Sequence, residues 1–240
     1  MQAGIYVGLS GQVALERRLT TVANNVANAG TVGYRAEELK FDTVLSAASK
    51  FPTAFSTAGD SFISERSGGL NKTGNPLDVA VQGKGWLAIR TPAGVAYTRD
   101  GRMQLRESGD LQTLTGYPVL DAGRAPIVLD PSAGTPRISR DGMIYQNGRP
   151  IGALGLFSVD MSGGYTRFEN SSIVPTTAAT PVVSFASDGI VQGFVEDSNV
   201  NPVTEMTNLI TVTRAFDGLQ TSIEENSASL KRAIQVLGGA

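Results

Sequence analysis

Leu209, Val212, Phe216, Leu219, Ile223, Asn226, Leu230, Ala233 and Leu237 follow one another at spacings of 3, 4, 3 and 4 throughout. That is coiled-coil spacing held over four heptads. A helix from Pro202 to Leu237 is predicted to be roughly 50 Å long at ~1.5 Å rise per residue. Its apolar seam is one stripe wide, which suits a helix–helix contact better than the broad arc of an ordinary core helix, the alternative reading. Such a rod must find another apolar face. The segment carries the signals of a defined helix. Asn201 is a good N-cap and Pro202 a good first residue. Glu205 in the first turn and Lys231 and Arg232 near the end complement the macrodipole. Asn226 either fixes the register or marks where the seam turns outward.

A partner stripe stands at the other end of the chain. Leu15, Leu19, Val22, Val26 and Ala29 are spaced 4, 3, 4 and 3, and residues 1–34 hold only three charges, Glu16, Arg17 and Arg18. Upstream, Tyr6, Leu9 and Val13 form a second short stripe, interrupted by Gly4, Gly8 and Gly11. Each glycine in a helix interior costs about 0.5–1 kcal/mol relative to alanine. The helix is therefore expected to be weak alone, to stop near Gly30 and Gly33, and to pair Leu15, Leu19, Val22 and Val26 with Phe216, Leu219 and Ile223.

Between the ends the pattern changes. Residues 47–75 are rich in Ser, Thr, Ala and Gly and read as a linker with little regular structure. From Asn75 onward β signals begin. Leu77, Val79 and Val81 alternate with Asp78, Ala80 and Gln82, the pattern of a half-buried strand. Further strands are predicted at 86–89, 96–98, 103–105, 117–120, 127–129, 143–145, 154–159, 182–185 and 190–194. The pairs Asp100-Gly101, Ser108-Gly109, Asp141-Gly142, Asn147-Gly148 and Asp188-Gly189 read as tight turns. The predicted class is α+β: paired, coiled-coil-like terminal helices with a central all-β domain. The expected division is 1–46 for the first helix and the segment after it, 47–75 for the linker, 76–198 for the β domain and 199–240 for the last helix.

Composition removes several functions. The 240 residues include no cysteine and no histidine. Disulfides, thiolate metal sites and a Ser-His-Asp triad are excluded, although a carboxylate metal site is not. The net charge of −2 lacks the basic footprint of a nucleic-acid binder. No apolar run approaches the ~18 residues of a membrane helix. The first basic residue is Arg17, so no cleavable secretory signal is expected. Gly83-Lys84-Gly85 fails as a phosphate loop, because Ala80, Trp86 and Leu87 occupy the positions that need Gly, Lys and Ser/Thr. Asp100, Asp141 and Asp188 each precede glycine, where aspartate is favoured by local backbone bonding rather than by catalysis. A lone Trp86 opening a strand reads as core packing. No cofactor or small-molecule substrate is implied.

One segment is unexplained by local propensity: Ala23-Asn24-Asn25-Val26-Ala27-Asn28-Ala29-Gly30-Thr31-Val32-Gly33-Tyr34-Arg35. It resembles the ANN-[LV]-AN-x-x-T-x-G-[FY]-[KR] signature of the flagellar axial proteins, which form the rod and hook of bacterial flagella. Thr73-Gly74-Asn75-Pro76-Leu77-Asp78, with Gly83-Lys84-Gly85-Trp86 after it, is similar to the family's TGNPLD segment and the strand pair beyond it. Tyr97-Thr98-Arg99-Asp100-Gly101 resembles its Y-T-R-x-G turn. Gly193-Phe194-Val195-Glu196 with Ser198-Asn199-Val200-Asn201, then Glu205-Met206, resembles its lead into the final helix. Val26 and Gly30 stand where leucine and asparagine are commoner. Length sets the chain apart from the smallest rod subunits and from the larger hook subunit and leaves proximal-rod members, with the closely related distal-rod subunit as the alternative; the opening Gly4-Ile5-Tyr6-Val7 with Glu16-Arg17-Arg18-Leu19 looks more like the proximal member.

The resemblance implies a structural subunit of the basal-body rod, without enzymatic activity. Its implied partners are itself and other rod subunits in a helical tube, and the flagellar type III export apparatus. Its implied place is the periplasmic rod, reached without a cleaved signal peptide. Assembly contacts are expected at Leu15, Leu19, Val22, Asn24, Asn25, Val26 and Asn28, and at Leu209, Val212, Phe216, Leu219, Ile223 and Leu230. The rival readings are a cell-wall glycan hydrolase, which needs two converging carboxylates, and a secreted adhesin, which leaves the matched chain ends unexplained.

Overall fold

The computed structural model describes residues 2–46 and 53–238, with side chains placed for 6–40, 59–229 and 231–238. The chain divides into two compact units. One comprises Met1–Ala27, Glu37–Phe62 and Asn201–Ala240, the other Asn28–Ala36 and Ile63–Val200.

The first unit holds two long helices, α1 (Gln2–Ala27) and α2 (Pro202–Gly238), and a two-stranded sheet of Glu37–Ser46 with Thr53–Ile63. The expected linker over 47–75 is therefore corrected. Strands at Thr53–Ile63 and Leu70–Lys72 occupy most of its described part, because each finds a partner strand outside that segment, Glu37–Ser46 and Phe194–Glu196. Asn201 caps α2 as read: its Oδ1 accepts from Val203 N (3.1 Å) and Thr204 N (3.2 Å). Lys231 and Arg232 fall short of the last turn, which carries no basic residue.

The glycines of α1 are not defects in the helix but the seam itself. A Cβ on Gly8 would lie 2.9 Å from Ile223 Cγ1, and one on Gly11 3.1 Å from Leu219 Cδ2. The two helices are thus antiparallel, with Ile223 and Leu219 seated where α1 has no side chain. The same register places Leu15 level with Phe216, Leu19 with Val212 and Val22 with Leu209. Ala14, Val22 and Val212 are buried, and Leu15, Leu19, Val26, Leu209, Phe216, Leu219 and Ile223 are half-buried. Asn226 is exposed, which decides for a seam that turns outward there. Ala233 and Leu237 are exposed as well, since the register carries them beyond the first turn of α1. Leu230 lies outside the residues whose side chains are described.

In the second unit a six-stranded antiparallel sheet runs, in spatial order, Tyr165–Phe168, Ser172–Pro175, Gly94–Thr98, Trp86–Thr91, Leu156–Ser158 and Thr180–Pro181. Successive side chains of Trp86–Ile89 point to opposite faces, and the alternation separates two cores. Trp86 and Ala88 join Tyr97, Leu120, Phe157 and Ile173, whereas Leu87 and Ile89 join Val79, Val81, Met103, Leu111 and Ile144. Asn147 (φ 49°) and Gly148 (φ 74°) turn Met143–Gln146 into Arg149–Ala153, as the Asn-Gly pair predicts.

Several sequence expectations need correction here. Val79–Gln82 is not half-buried: Val79, Ala80 and Val81 are all inaccessible. Gly101 does not adopt positive φ. It is glycine because a Cβ there would lie 1.9 Å from Val79 O. Segments 117–120 and 127–129 make isolated bridges instead of strands. Expected residues 182–185 are preceded by a two-residue strand at Thr180–Pro181. Strands at Leu111–Thr113, Tyr165–Phe168 and Ser172–Pro175 escape periodicity because they are short and mixed in polarity.

The seam geometry predicts opposite effects for two glycines. A Cβ on Gly218 in α2 would have nothing within 4 Å, so Gly218→Ala should stabilise the helix pair by about 0.5–1 kcal/mol. Gly8→Leu should overpack against Ile223 and destabilise it by about 1–3 kcal/mol. Thermal melts followed by far-ultraviolet circular dichroism test the pair. Shifts of the same sign would mean that Gly8 is not a seam position.

Candidate functional site

Charged side chains are scarce in the motif segments, and three of them meet. Arg35 comes from the stretch after α1, Arg99 from the turn after Gly94–Thr98, and Glu196 from the strand that leads into α2. Arg35 Nη2 lies 2.6 Å from Glu196 Oε1, and Arg99 Nη1 lies 3.3 Å from Glu196 Oε2. All three are at most 3% exposed. One carboxylate therefore bridges two guanidinium groups inside the β unit.

The surrounding backbone completes the arrangement. Arg35 Nη1 donates to Glu65 O (2.8 Å) and to Arg66 O, and Gly68 N donates to Glu196 Oε1 (3.0 Å). Arg99 donates to Val81 O (3.0 Å) and Gly83 O (2.6 Å), with its guanidinium 5.4 Å from the Trp86 ring. Gly33 N donates to Glu196 O (2.7 Å), and a Cβ on Gly33 would collide with the backbone of Arg99 and Asp100. Asn199 ties the same strands: its Oδ1 accepts from Ala36 N (2.7 Å) and its Nδ2 donates to Arg66 O (2.7 Å). Arg167 lies 4.6 Å over the Tyr34 ring and donates to Arg35 O (2.7 Å). The chain leaving α1 and the chain entering α2 are thus both fastened to one β body, although more than 160 residues separate them in sequence.

Burial sets the energetics. Desolvation pushes Arg99 down to about 10, against the opposing pull of Glu196, and it lowers Arg35 as well. Arg35 Nε and Arg99 Nε are buried without a hydrogen-bond partner in the protein. The cluster therefore ties three chain segments together at a desolvation cost, instead of adding stability over an apolar replacement.

The expected assembly residues divide. Asn25 is 3% exposed and mimics a strand partner: Nδ2 donates to Glu37 O (2.9 Å) while Oδ1 accepts from Glu37 N (3.0 Å). Within the chain it therefore ties the end of α1 to the strand that follows. Asn28 accepts at O from Thr31 N and at Oδ1 from Thr31 Oγ1 (3.1 Å), turning the chain after α1. Asn24 is exposed, on a cleft of about 490 Å³ that it lines with Arg17, Thr20, Glu37 and Ser61. The apolar members other than Leu230, whose side chain lies outside the described residues, lie on the helix seam described above.

The candidate catalytic carboxylates are all engaged in structural contacts, Asp100 and Asp141 within their own turns and Asp188 with a distant loop. Asp100 pairs with Arg102 (2.6 Å), Asp141 accepts from Met143 N (3.2 Å), and Asp188 accepts from Lys84 N (2.7 Å) and Gly85 N (3.0 Å). That last contact fills the amide nest of Gly83-Lys84-Gly85 with an internal anion. Among the described residues no group of acidic side chains is arranged to hold a metal ion. Sequence reading used Arg35, Arg99 and Glu196 only as motif letters. Arg35 is the one charge in Ala23–Arg35, but Asp100 beside Arg99 and Asp197 beside Glu196 hide the other two from a reading of the sequence.

Glu196→Gln leaves two buried guanidinium groups without their counter-ion, so it should destabilise the β unit by about 3–5 kcal/mol. Glu65→Gln removes only an exposed partner of Lys84 and should cost under ~1 kcal/mol. Urea unfolding followed by Trp86 fluorescence separates the two, and similar midpoints would remove Glu196 from its central place.

Known proteins resemble the chain along its whole length. Residues 5–35 match the family described as "Flagella basal body rod protein", residues 80–146 the "Flagellar hook protein FlgE/F/G D1 domain", and residues 191–236 the "Flagellar basal body rod FlgEFG protein C-terminal". The chain is 48% identical over 240 residues, all of both chains, to the flagellar basal-body rod protein FlgF of Rhizobium meliloti. It is 48% identical over 238 residues, 99% of both chains, to FlgF of Mesorhizobium japonicum. To the flagellar basal-body rod protein FlgG of Buchnera aphidicola subsp. Schizaphis graminum it is 29% identical, over 98% of this chain and 100% of that one.

Proposed function

The chain belongs to the flagellar basal-body rod proteins, is most like FlgF and is a structural subunit of the rod, and from that premise we propose that it polymerises through α1 and α2. The subunits form a helical tube, with copies of this chain and other rod subunits as neighbours, and the tube transmits motor torque across the periplasm. The chain reaches it through the flagellar type III export apparatus, without a cleaved signal, and carries out no catalysis there. The proximal rod is its place, in keeping with the higher identity to FlgF than to FlgG.

The observation that carries this reading is the uneven distribution of exposed apolar side chains. The β unit closes two cores of its own. The helices leave Tyr6, Leu9, Val13, Val203, Met206, Ile210, Ile234, Val236 and Leu237 exposed, whereas the much longer β unit exposes Leu70, Leu114, Val128, Ile151 and Val183. A helix pair that buries one face and exposes another is built to be covered by neighbours, and contacts that do not close produce a filament. The structural use of Asp100, Asp141 and Asp188 speaks against the glycan-hydrolase alternative.

Phe216 tests the reading, because it lies half-buried on the seam face while Asp217 points about 100° away around the helix. Phe216→Asp should weaken the helix pair, by less than the ~3–5 kcal/mol that truncating a fully buried Phe costs, because Phe216 is half-buried. The β unit should keep its melting temperature, and the subunit should fail to enter basal bodies, with loss of motility. Asp217→Ala should leave swimming intact. Basal-body preparations and swimming assays on both variants decide it: equal phenotypes contradict assembly through the helices.

A further inference from the structure

Beside the Glu196 cluster the β unit holds a cavity of about 200 Å³. Arg35 and Arg99 both line it, and Ser64 adds a hydroxyl. Much of the remaining wall is apolar. Trp86, Val159 and Met161 line the same cavity and belong to one hydrophobic cluster. Lys84 and Glu65, paired at 2.6 Å and 80% and 72% exposed, are the charged members of the lining that reach solvent, so they mark its mouth.

The fold leaves two demands of this lining unmet. The first is charge. Arg35, Arg99 and Glu196 are each at most 3% exposed, so the fully buried charges are two positive and one negative. Burial is the largest influence on both guanidinium groups, and the pull of Glu196 does not offset it. Asp188 also favours the charged form of Arg99, but its Oδ1 is held by the amides of Lys84 and Gly85. At the mouth Lys84 and Glu65 cancel each other. The second demand is for acceptors. Both oxygens of Glu196 are engaged, Oε1 by Arg35 and Gly68 N and Oε2 by Arg99. Arg35 Nε and Arg99 Nε keep a buried N–H each with no acceptor in the protein, and a buried donor left unpaired loses its hydration without return.

These demands select among ligands. Water supplies an acceptor but no charge. Phosphate or sulfate brings about two charges to an excess of one, and gains nothing from an apolar wall. A carboxylate brings one charge in the planar geometry that guanidinium groups bind best. The volume has room for about six non-hydrogen atoms at the ~30 Å³ that a water occupies. We propose that the cavity is a binding site for a small monocarboxylate, whose carboxylate is held by Arg35 and Arg99 and whose short apolar stem lies against Trp86, Val159 and Met161. Binding supplies the second buried negative charge and stabilises the β unit by mass action. The site is independent of assembly through the helices, because every residue of its lining lies in the β unit.

The test follows Trp86, the single tryptophan of the chain, whose ring lies 5.4 Å from the Arg99 guanidinium. Full-length protein in a buffer free of carboxylates and phosphate is titrated with sodium propionate. The expected result is a saturating change in fluorescence, half-complete at a concentration on the order of millimolar as suits so small a ligand, with a rise in melting temperature. Sodium chloride at the same ionic strength and n-propanol at the same concentration should produce neither. In isotope-labelled protein the side-chain Nε–H resonances of Arg35 and Arg99 should move with the same half-saturation, while that of Arg149, outside the lining, stays still. Ser158 is exposed and lines the cavity. Ser158→Phe should therefore close it, keep the ligand-free melting temperature and weaken propionate by about tenfold or more. No saturable response, an equal response to chloride (an adventitious ion only) or to propanol, or Nε–H resonances unmoved at saturation would each overturn the site. So would undiminished binding by a folded Ser158→Phe, and if that variant does not fold the resonances decide alone.

Discussion

A single carboxylate holds the arrangement on which the rest of the structure depends. Glu196 lies between Arg35 and Arg99 with no access to solvent. Its side chain also takes the amide of Gly68, and its backbone oxygen takes the amide of Gly33. Two guanidinium groups in such a place oppose each other, and burial drives both towards the neutral form. Only the shared counter-ion makes the burial tolerable. The consequence is that one buried carboxylate ties residues 33–36, 65–68, 81–83 and 196–199 together.

The helices obey a different logic. Their contact is apolar and narrow, and it relies on what is missing from α1. Ile223 and Leu219 approach the backbone at Gly8 and Gly11, so the helices come close without a broad core. The small residues that weaken α1 in isolation allow it to pair. A helix of this kind is marginal alone and is completed by its partner within the chain. The β unit, with two closed cores, needs no such company.

Much of this was legible in the sequence because it depends on local chemistry or long periodicity. Asn201 and Pro202 announce the start of α2, and the 3, 4 spacing from Leu209 to Ile223 marks its buried face. The motif segments around Asn25, Asp78, Arg99 and Glu196 carry the family. What was not legible depends on partners distant in sequence. Gly8 and Gly11 look like defects until Ile223 and Leu219 stand opposite. Gly101 looks like a turn glycine until the Val79 carbonyl occupies the space of its Cβ. Thr53–Ile63 looks like a linker because its residues are small, and pairing with Glu37–Ser46 is a tertiary fact. Asn25 reads as a contact to other subunits, and within the chain it holds both backbone groups of Glu37.

The central claim is that the Glu196 cluster locks the chain leaving α1 and the chain entering α2 into the β body as one cooperative unit. Native-state hydrogen exchange measures this directly at the amides of Gly33, Ala36 and Gly68, which donate to Glu196 O, Asn199 Oδ1 and Glu196 Oε1. If the claim holds, these three amides exchange with the same free energy and the same denaturant dependence as the core strand Trp86–Thr91, through global opening of the β unit. Fast exchange of the three, independent of denaturant while the strand stays protected, would show that they open locally and would contradict it.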